Sequence, residues 1–481
     1  MFERLKNWIG GLRKRMGLGN IGDATSDRAK IGTEMETRIN EWMSLYRGEF
    51  PWTDKCHHHH LDIPATIASE MARLVTLEMQ INITGENERA KFLDAQLDPL
   101  RERIRQWVEY GCAGGGLMFK PYISGEKSIR IDVAQADMFY PIAFDSAGRI
   151  ESAAFVEQRT VGGKIYNRVE KHVRDGSGYK ITNEAFCSQS QSDRGVPCPL
   201  SEVKDWENIE PEVRIDNLEI PLFAYFRIPQ GNTADPTSPL GVSVFARAVR
   251  LAEDADMVYD GYLWEYQSGQ RAIDASEDAF ATVNGLPVIP TGWERLFRMN
   301  KFSVDDETTQ DLFRDFSPEM RDEPFKRGLN TIFEQVEDKS GLSRGILSMQ
   351  ENEAKTATEI KMSRQRSYAT VTDIQKALET ALDGTIAAMN ALCDLYSLAP
   401  AGGYEVSYVW DDSIVVDAET ERANDRQDVA SGLMNAYEYR MKWYGEDEET
   451  ARQKAGEAGQ KSDDDIMGFS GGFGGNGGAG T

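Results

Sequence analysis

The chain has 481 residues, 40% of them hydrophobic, enough for two to four structural units at about 150 residues each and for a sizeable core. Its 79 acidic against 54 basic side chains leave a formal charge of −25, which excludes a nucleic-acid clamp, because duplex binding draws its affinity from Lys and Arg neutralising phosphates. Either DNA is no partner, or DNA must pass without sticking.

Cysteine usage and hydropathy narrow the class further. Cys56, Cys112, Cys187, Cys198 and Cys393 are scattered and odd in number, as expected in a reducing compartment without a disulfide framework. No apolar run approaches the roughly 18–20 residues of a membrane span, and the N-terminus lacks a signal-peptide pattern. The expectation is a soluble protein made in the cytoplasm, with no membrane partner.

Residues 1–24 place Phe2, Leu5, Trp8, Ile9, Leu12 and Met16 at helical spacing among Arg4, Lys6, Arg13, Lys14 and Arg15. Such a basic amphipathic helix suits a membrane surface or a protein partner, and on an acidic chain its own or a neighbouring subunit is the better fit. Residues 30–120 read mostly as helix. One candidate spans Ile63–Met79; a second runs from Glu88 to Tyr110, kinked or divided by Pro99. The glycine-rich Gly111–Gly116 is expected to stop it. That run lacks the Walker lysine–serine ending and the strand-first order of a dinucleotide site, so it reads as a helix-to-strand turn. Between about 115 and 230 the pattern changes to short alternating strands: Leu117–Ile123, Phe139–Phe144, Ala153–Arg159, Ile165–His172, Tyr179–Ile181 and Pro221–Ile228. Turn signals such as Gly162-Gly163 lie between them, giving an antiparallel meander.

A helical rod opens near Val242 and carries Phe245, Val249, Ala252, Ala255 and Tyr262 at three- and four-residue steps, with Glu253, Asp254, Asp256 and Asp260 on other faces. A compact insert with Pro287 and Pro290 follows, then a second rod over Phe325–Lys339. The helical pattern ends at Gly341, and a polar loop leads to a long helix opening at Thr356, where Thr356 and Glu359 stand at capping-box spacing. Ile360, Tyr368, Val371, Ile374, Leu378, Leu382, Ile386, Met389, Leu392 and Tyr396 extend one apolar stripe over about 40 residues, on the order of 60 Å. A helix that long suggests a coiled coil, a bundle, or a ring whose copies cover each other's stripes. Beyond Pro400 the chain turns acidic, and its last residues, 461–481, form a glycine-rich tail unable to build a core.

Chemical constellations are weak. Cys56-His57-His58-His59-His60 resembles a metal site, but the one remaining histidine is His172, and a surface loop with adventitious affinity is the simpler reading, so no metal and no cofactor is expected. The pair Asp411 and Asp412 could bind magnesium or serve acid–base chemistry, yet in a chain this acidic such pairs arise by chance. No Ser–His–Asp order, nucleotide loop or zinc-helix motif occurs, and no enzyme is expected.

In their order and spacing, Pro239–Phe245 leading into Ala252–Tyr259, Leu329-Asn330, Gly341–Ser343, Thr356–Ile360, Asp411–Asp417 and Gly445–Glu449 resemble the portal proteins of tailed double-stranded-DNA bacteriophages, siphovirus type, over about residues 30–460. The resemblance implies an α+β portal fold and a dodecameric ring at one capsid vertex of the virion, assembled in the host cytoplasm. It implies a wing at 25–241, stem helices at 242–270 and 324–342, a clip at 271–323, a tunnel loop at 343–355, a long wing/crown helix at 356–397 and a mainly helical crown at 398–460. It further implies double-stranded DNA passing through without sequence-specific binding, docking of the terminase large subunit and then head–tail connector proteins, and contacts with major capsid and scaffolding proteins. Within that frame Arg344, Ser348, Gln350, Asn352 and Lys355 are the DNA-proximal loop residues. Glu253, Asp254, Asp256 and Asp260 are channel-lining candidates, and Asn284, Trp293 and Arg295 mark the clip docking surface.

Twelve copies would sum to about −300, which makes sense for a conduit: phosphates facing stem carboxylates find no counterion-release gain and no well to stall in. The bland alternative is that several of these acids solvate an outer wall or pair with Arg247 and Arg250. Two rival functions remain open at this level. One is a metal-dependent phosphodiesterase using the Asp-rich C-terminal region; the other is a different virion structural or adaptor protein built on the same long helix.

Overall fold

The computed structural model describes residues 32–55, 60–125, 127–175, 178–189, 195–270, 272–276, 280–283, 286–289, 296–300, 313–316, 319–349, 357–410 and 418–455. The expected N-terminal helix at 1–24 and the tail at 461–481 lie outside them. The chain falls into two units, Met1–Trp410 and Asp411–Thr481.

The first unit opens with helix α1 (Thr33–Tyr46) and helix α2 (Ile63–Val75). Pro64 sits in the first turn of α2, where its missing N–H leaves nothing unpaired. Ile67, Met71, Leu74 and Val75 follow one face of α2 and are buried. Strand β1 (Gln80–Thr84) interrupts what reads as helix, burying Ile81 and Ile83 in strict alternation. Helix α3 (Glu88–Gln96) and helix α4 (Asp98–Gly114) divide at Leu97, with Pro99 in the first turn of α4.

The helix ends within the glycine run as expected: it continues through Gly111 to Gly114, and Gly115 makes the break at φ 87°. A Cβ on Gly115 would meet the Gly241 carbonyl oxygen at 2.6 Å, so this glycine permits both the left-handed turn and a close backbone approach. Strand β2 (Gly116–Ile123) follows, pairing with β3 (Ile129–Gln135). Leu117, Met118 and Phe119 are buried in succession, which alternation forbids unless both faces of the strand are covered.

A six-stranded antiparallel sheet comes next: β4 (Phe139–Phe144), β5 (Ile150–Val161), β6 (Lys164–Asp175), β7 (Gly178–Ser188) and β8 (Val196–Cys198) in consecutive order, with β9 (Glu212–Asp216) also on β7. Its β4–β7 run is the expected meander, whereas β2, read as part of the same series, belongs to a separate sheet. The β5–β6 hairpin closes on Gly162 and Gly163, at φ 59° and 80°, the two positive values a tight primed turn needs. Strand β10 (Ala224–Arg227) then returns to pair with β2.

Helix α5 (Val249–Ser268) is the first rod. Fragments of a small insert follow: β11 (Ala272–Ser276), a short hairpin of β12 (Thr282–Val283) and β13 (Leu286–Pro287), β14 (Phe297–Asn300) and β15 (Phe313–Phe316). Strand β11 pairs parallel with β14 and antiparallel with β15. Helix α6 (Asp322–Ser340) is the second rod, and helix α7 (Ala357–Tyr396) runs for 40 residues. Strand β16 (Glu405–Val409) closes the unit by pairing with β1. The second unit contains helix α8 (Ala418–Ser431) and helix α9 (Ala436–Tyr444), the latter opened by an Asn435/Glu438 capping box. The fold class is α+β, as expected.

The long apolar stripe is where the structure departs from the sequence argument. Val371, Ile374, Leu378, Ala381, Leu382, Ile386, Met389 and Leu392 are all buried within this one chain. Helix α7 packs there against β2, β10, α2 and α3, supplying one of the two covers that β2 requires. From Val371 to Leu392 a sheet and two helices of its own chain cover the stripe without neighbouring copies, whereas Tyr396 is exposed and the side chain of Ile360 lies outside the described residues.

Candidate functional site: two rods and the root of a loop

Helices α5 and α6 lie against each other. A Cβ on Gly261 would stand 3.2 Å from the Phe325 ring, so the missing side chain admits the aromatic. Tyr262 and Phe325 are 6.3 Å apart between centroids, and the Tyr262 and Tyr266 hydroxyls are hydrogen-bonded at 2.9 Å. At the far end of the pair Glu265 accepts from Arg321 three times: from its backbone N–H at 3.2 Å, from Nε at 3.1 Å and from Nη2 at 2.7 Å. The Arg321 side chain holds the Glu265 carboxyl below its ordinary range.

The four acidic candidates of the first rod separate once the chain folds. Asp254 is exposed. Glu253 is half-buried and paired with Lys55 at 2.6 Å, while Asp260 is half-buried and engaged in an interaction of its own. Asp256 departs from expectation: it is 3% exposed and turned into the protein. Its Oδ2 accepts from Trp52 Nε1 at 2.8 Å and lies 2.8 Å from His60 Nδ1, and its Oδ1 accepts from the Leu61 N–H at 2.9 Å. A carboxylate so enclosed cannot line a wall; it fastens the segment between α1 and α2 to the rod. His60, the described end of the histidine run, is thus a partner of Asp256 and stacks on Phe50 at 4.3 Å. Residues 56–59 lie outside the described residues.

The start of the polar loop is ordered by a residue that sequence reading missed. Glu337, in the last turn of α6, is fully buried. Its Oε1 accepts from the backbone N–H groups of Gly345 at 3.1 Å, Leu347 at 2.5 Å and Ser348 at 2.9 Å. Its Oε2 accepts from the Ser348 hydroxyl at 2.7 Å. Gly341 caps the helix at φ 77°, and a Cβ there would stand 2.7 Å from the Thr370 hydroxyl of α7. One signal was available: a carboxylate in a helix's final turn opposes the macrodipole and needs a compensating reason.

Two loop candidates change meaning accordingly. Ser348 is buried against Glu337, so it holds the loop root and does not face a ligand. Arg344 is half-exposed but pairs with Asp338 at 2.8 Å and approaches Glu334 at 3.5 Å; Asp338 foremost raises its already high pKa. Gln350, Asn352, Lys355 and Thr356, with Asn284, Trp293 and Arg295 of the insert, lie outside the described residues. So does the side chain of Glu359, although its backbone is in α7. Asp411 and Asp412 are likewise outside them.

Two further features bear on assembly. Met257 and Trp264, seven residues apart on α5 and so on one face, are both exposed, Trp264 at 61%. No helix among the described residues is long and apolar enough to cross a membrane.

Residues 30–460 match the family model described as "Phage portal protein, SPP1 Gp6-like". Similar solved structures include a chain of the "Neck of native GTA particle computed with C12 symmetry", 12% identical, covering 89% of this chain and 98% of that chain at a TM-score of 0.43. No curated protein matches.

Proposed function

The chain belongs to the phage portal protein family, SPP1 Gp6-like, and from that membership we propose that identical copies close into a dodecameric ring at one capsid vertex. Double-stranded DNA enters and leaves the head through its centre. Residues 25–241 form the wing, 242–270 and 324–342 the stem, 271–323 the clip, 343–355 the tunnel loop, 356–397 the long helix and 398–460 the crown. The clip receives the terminase large subunit during packaging and head–tail connector proteins afterwards, while capsid and scaffolding proteins meet the ring as the head assembles in the host cytoplasm. The ring hydrolyses nothing; the packaging motor supplies the work.

The observation that carries this reading is the family match across residues 30–460. The α5–α6 pair supports it as the wall of a channel. Asp254 supplies an exposed negative side chain that gives phosphates no counterion-release gain. Met257 and Trp264 supply an apolar face that water covers poorly and a neighbouring copy covers well. The α7 stripe from Val371 to Leu392 supplies no such argument, since its own chain already covers it.

Electron microscopy of the purified full chain, with its mass in solution, tests the proposal. Rings with a central hole wide enough for a duplex are expected. Single copies that cleave DNA with magnesium would replace this reading with the phosphodiesterase one.

A further inference from the structure

After Gly341 the chain does not leave α6; it doubles back along it. The points that hold it come from one helical face. Glu337 gathers the amides of Gly345, Leu347 and Ser348. Glu334 and Asp338 hold the Arg344 guanidinium at 3.5 and 2.8 Å. Asn330 Oδ1 accepts from the Met349 N–H at 2.6 Å. Asn330, Glu334 and Glu337 are four and three residues apart, which places them in a row. At 1.5 Å per residue, the segment retraces about 10 Å of the helix before Met349.

Glu337 and the loop root need each other. Without the loop, a buried carboxylate would sit unpaired against the negative end of a helix dipole, which is costly on both counts. Without Glu337, two buried or half-buried amides and the buried Ser348 hydroxyl lose their acceptor. The bonds share one small carboxylate, so they form and break as a set.

We propose that Glu337 is the positioning residue of the tunnel loop. It makes residues 342–349 a fixed extension of α6, so that the chain departs toward the DNA from the level of Asn330 instead of from the helix end. Force on the loop then reaches α6 along a row of bonds rather than through one flexible peptide. This inference rests on the portal reading and assigns the residue that sets loop height within it.

Hydrogen exchange on assembled full-length rings, alongside DNA packaging by the same variants, tests the assignment. In the unmodified ring the amides of Gly345, Leu347 and Ser348 are expected to be protected. Glu337→Ala should speed their exchange by about tenfold or more while the first turns of α6 stay unchanged. Glu337→Gln, whose amide oxygen still accepts, should restore most of that protection, and Ser348→Ala should lose only part of it. Rings of Glu337→Ala should package less DNA, and Glu337→Gln should recover it. The proposal is overturned if those amides exchange freely in the unmodified ring, or if Glu337→Ala frees them and packaging is unaffected. Failure of the unmodified chain to form rings would count against the portal reading instead, and imaging the same samples reports that separately.

Discussion

Replacing Arg89 should loosen the end of the longest helix without touching its apolar stripe. The Arg89 guanidinium is buried, with 3% of its side chain exposed, and it joins the segment after α7 to the end of that helix. Nε donates to the Pro400 carbonyl at 3.1 Å. Nη1 donates to the Asn390 carbonyl at 3.3 Å and to its side-chain oxygen at 2.6 Å. Nη2 donates to Asp394 Oδ1 and the Ala399 carbonyl, both at 2.7 Å. The Ala399 and Pro400 carbonyls belong to the segment after Tyr396, so one planar fork ties that segment back to Asn390 and Asp394 of the helix. Each bond to a charged donor contributes about 1.5–3 kcal/mol net, but the five are not additive, and Asp394 is exposed enough to rehydrate. The expected cost of Arg89→Ala is therefore about 3 kcal/mol, the lower end for breaking a buried charged network. At 1.4 kcal/mol per tenfold, local opening becomes roughly a hundredfold more frequent. Amide exchange across the last turns of α7 and across β16 measures it, and Arg89→Lys should recover only part of the loss because a point charge cannot fork. Exchange within about threefold of the unmodified chain would refute the argument that Arg89 fastens the end of α7.

Three further outcomes are expected. Trp264→Glu should leave the single chain folded, since the indole is mostly exposed, yet shift sedimentation from rings to single copies; unchanged rings would remove the α5 face from the subunit interface. Asp256→Ala should destabilise the chain by about 2–4 kcal/mol in denaturant titrations, because the Trp52 indole N–H and the Leu61 amide lose their buried acceptor; a loss under about 0.5 kcal/mol would contradict that. Acidification should weaken the six-stranded sheet in two steps. Burial pushes the His172 pKa below its ordinary 6.5, with Lys120 and Arg168 adding to burial and Glu170 opposing it. Burial alone would push Glu170 up, but Lys120, His172 and Arg168 hold it well below 4.5. In both cases the unfolded chain binds more protons, so stability present at neutral pH falls below about 6.5 and again below about 4.5. Melting temperatures that rise between pH 7 and pH 5 would contradict the sign.

Much of the element order was legible because it is written in short-range periodicity. The β4 limits, the glycine hairpin after β5, the division of α3 from α4 by Pro99 and the extent of α7 all follow from local sterics and alternation. Strand β1 escaped because its five residues carry too few alternations to stand out among helices. The glycine run does make the expected helix-to-strand turn, but at Gly115, because the helix passes through Gly111 to pack closely on Phe226.

The site was less legible, for a physical reason. A carboxylate in a sequence gives its charge but not its surroundings. Glu253, Asp254, Asp256 and Asp260 look alike along the chain, yet only folding brings Trp52 and His60 to Asp256 and leaves Asp254 in water. Ser348 reads as a polar loop residue until Glu337 is found beside it. By itself the sequence determined the rods, the meander, the acidic balance and the family. The tertiary structure alone decided which apolar stripe its own sheet covers, which carboxylates are fasteners and where the loop is tied. Those outcomes depend on what distant segments bring within hydrogen-bond reach, and no local pattern records that.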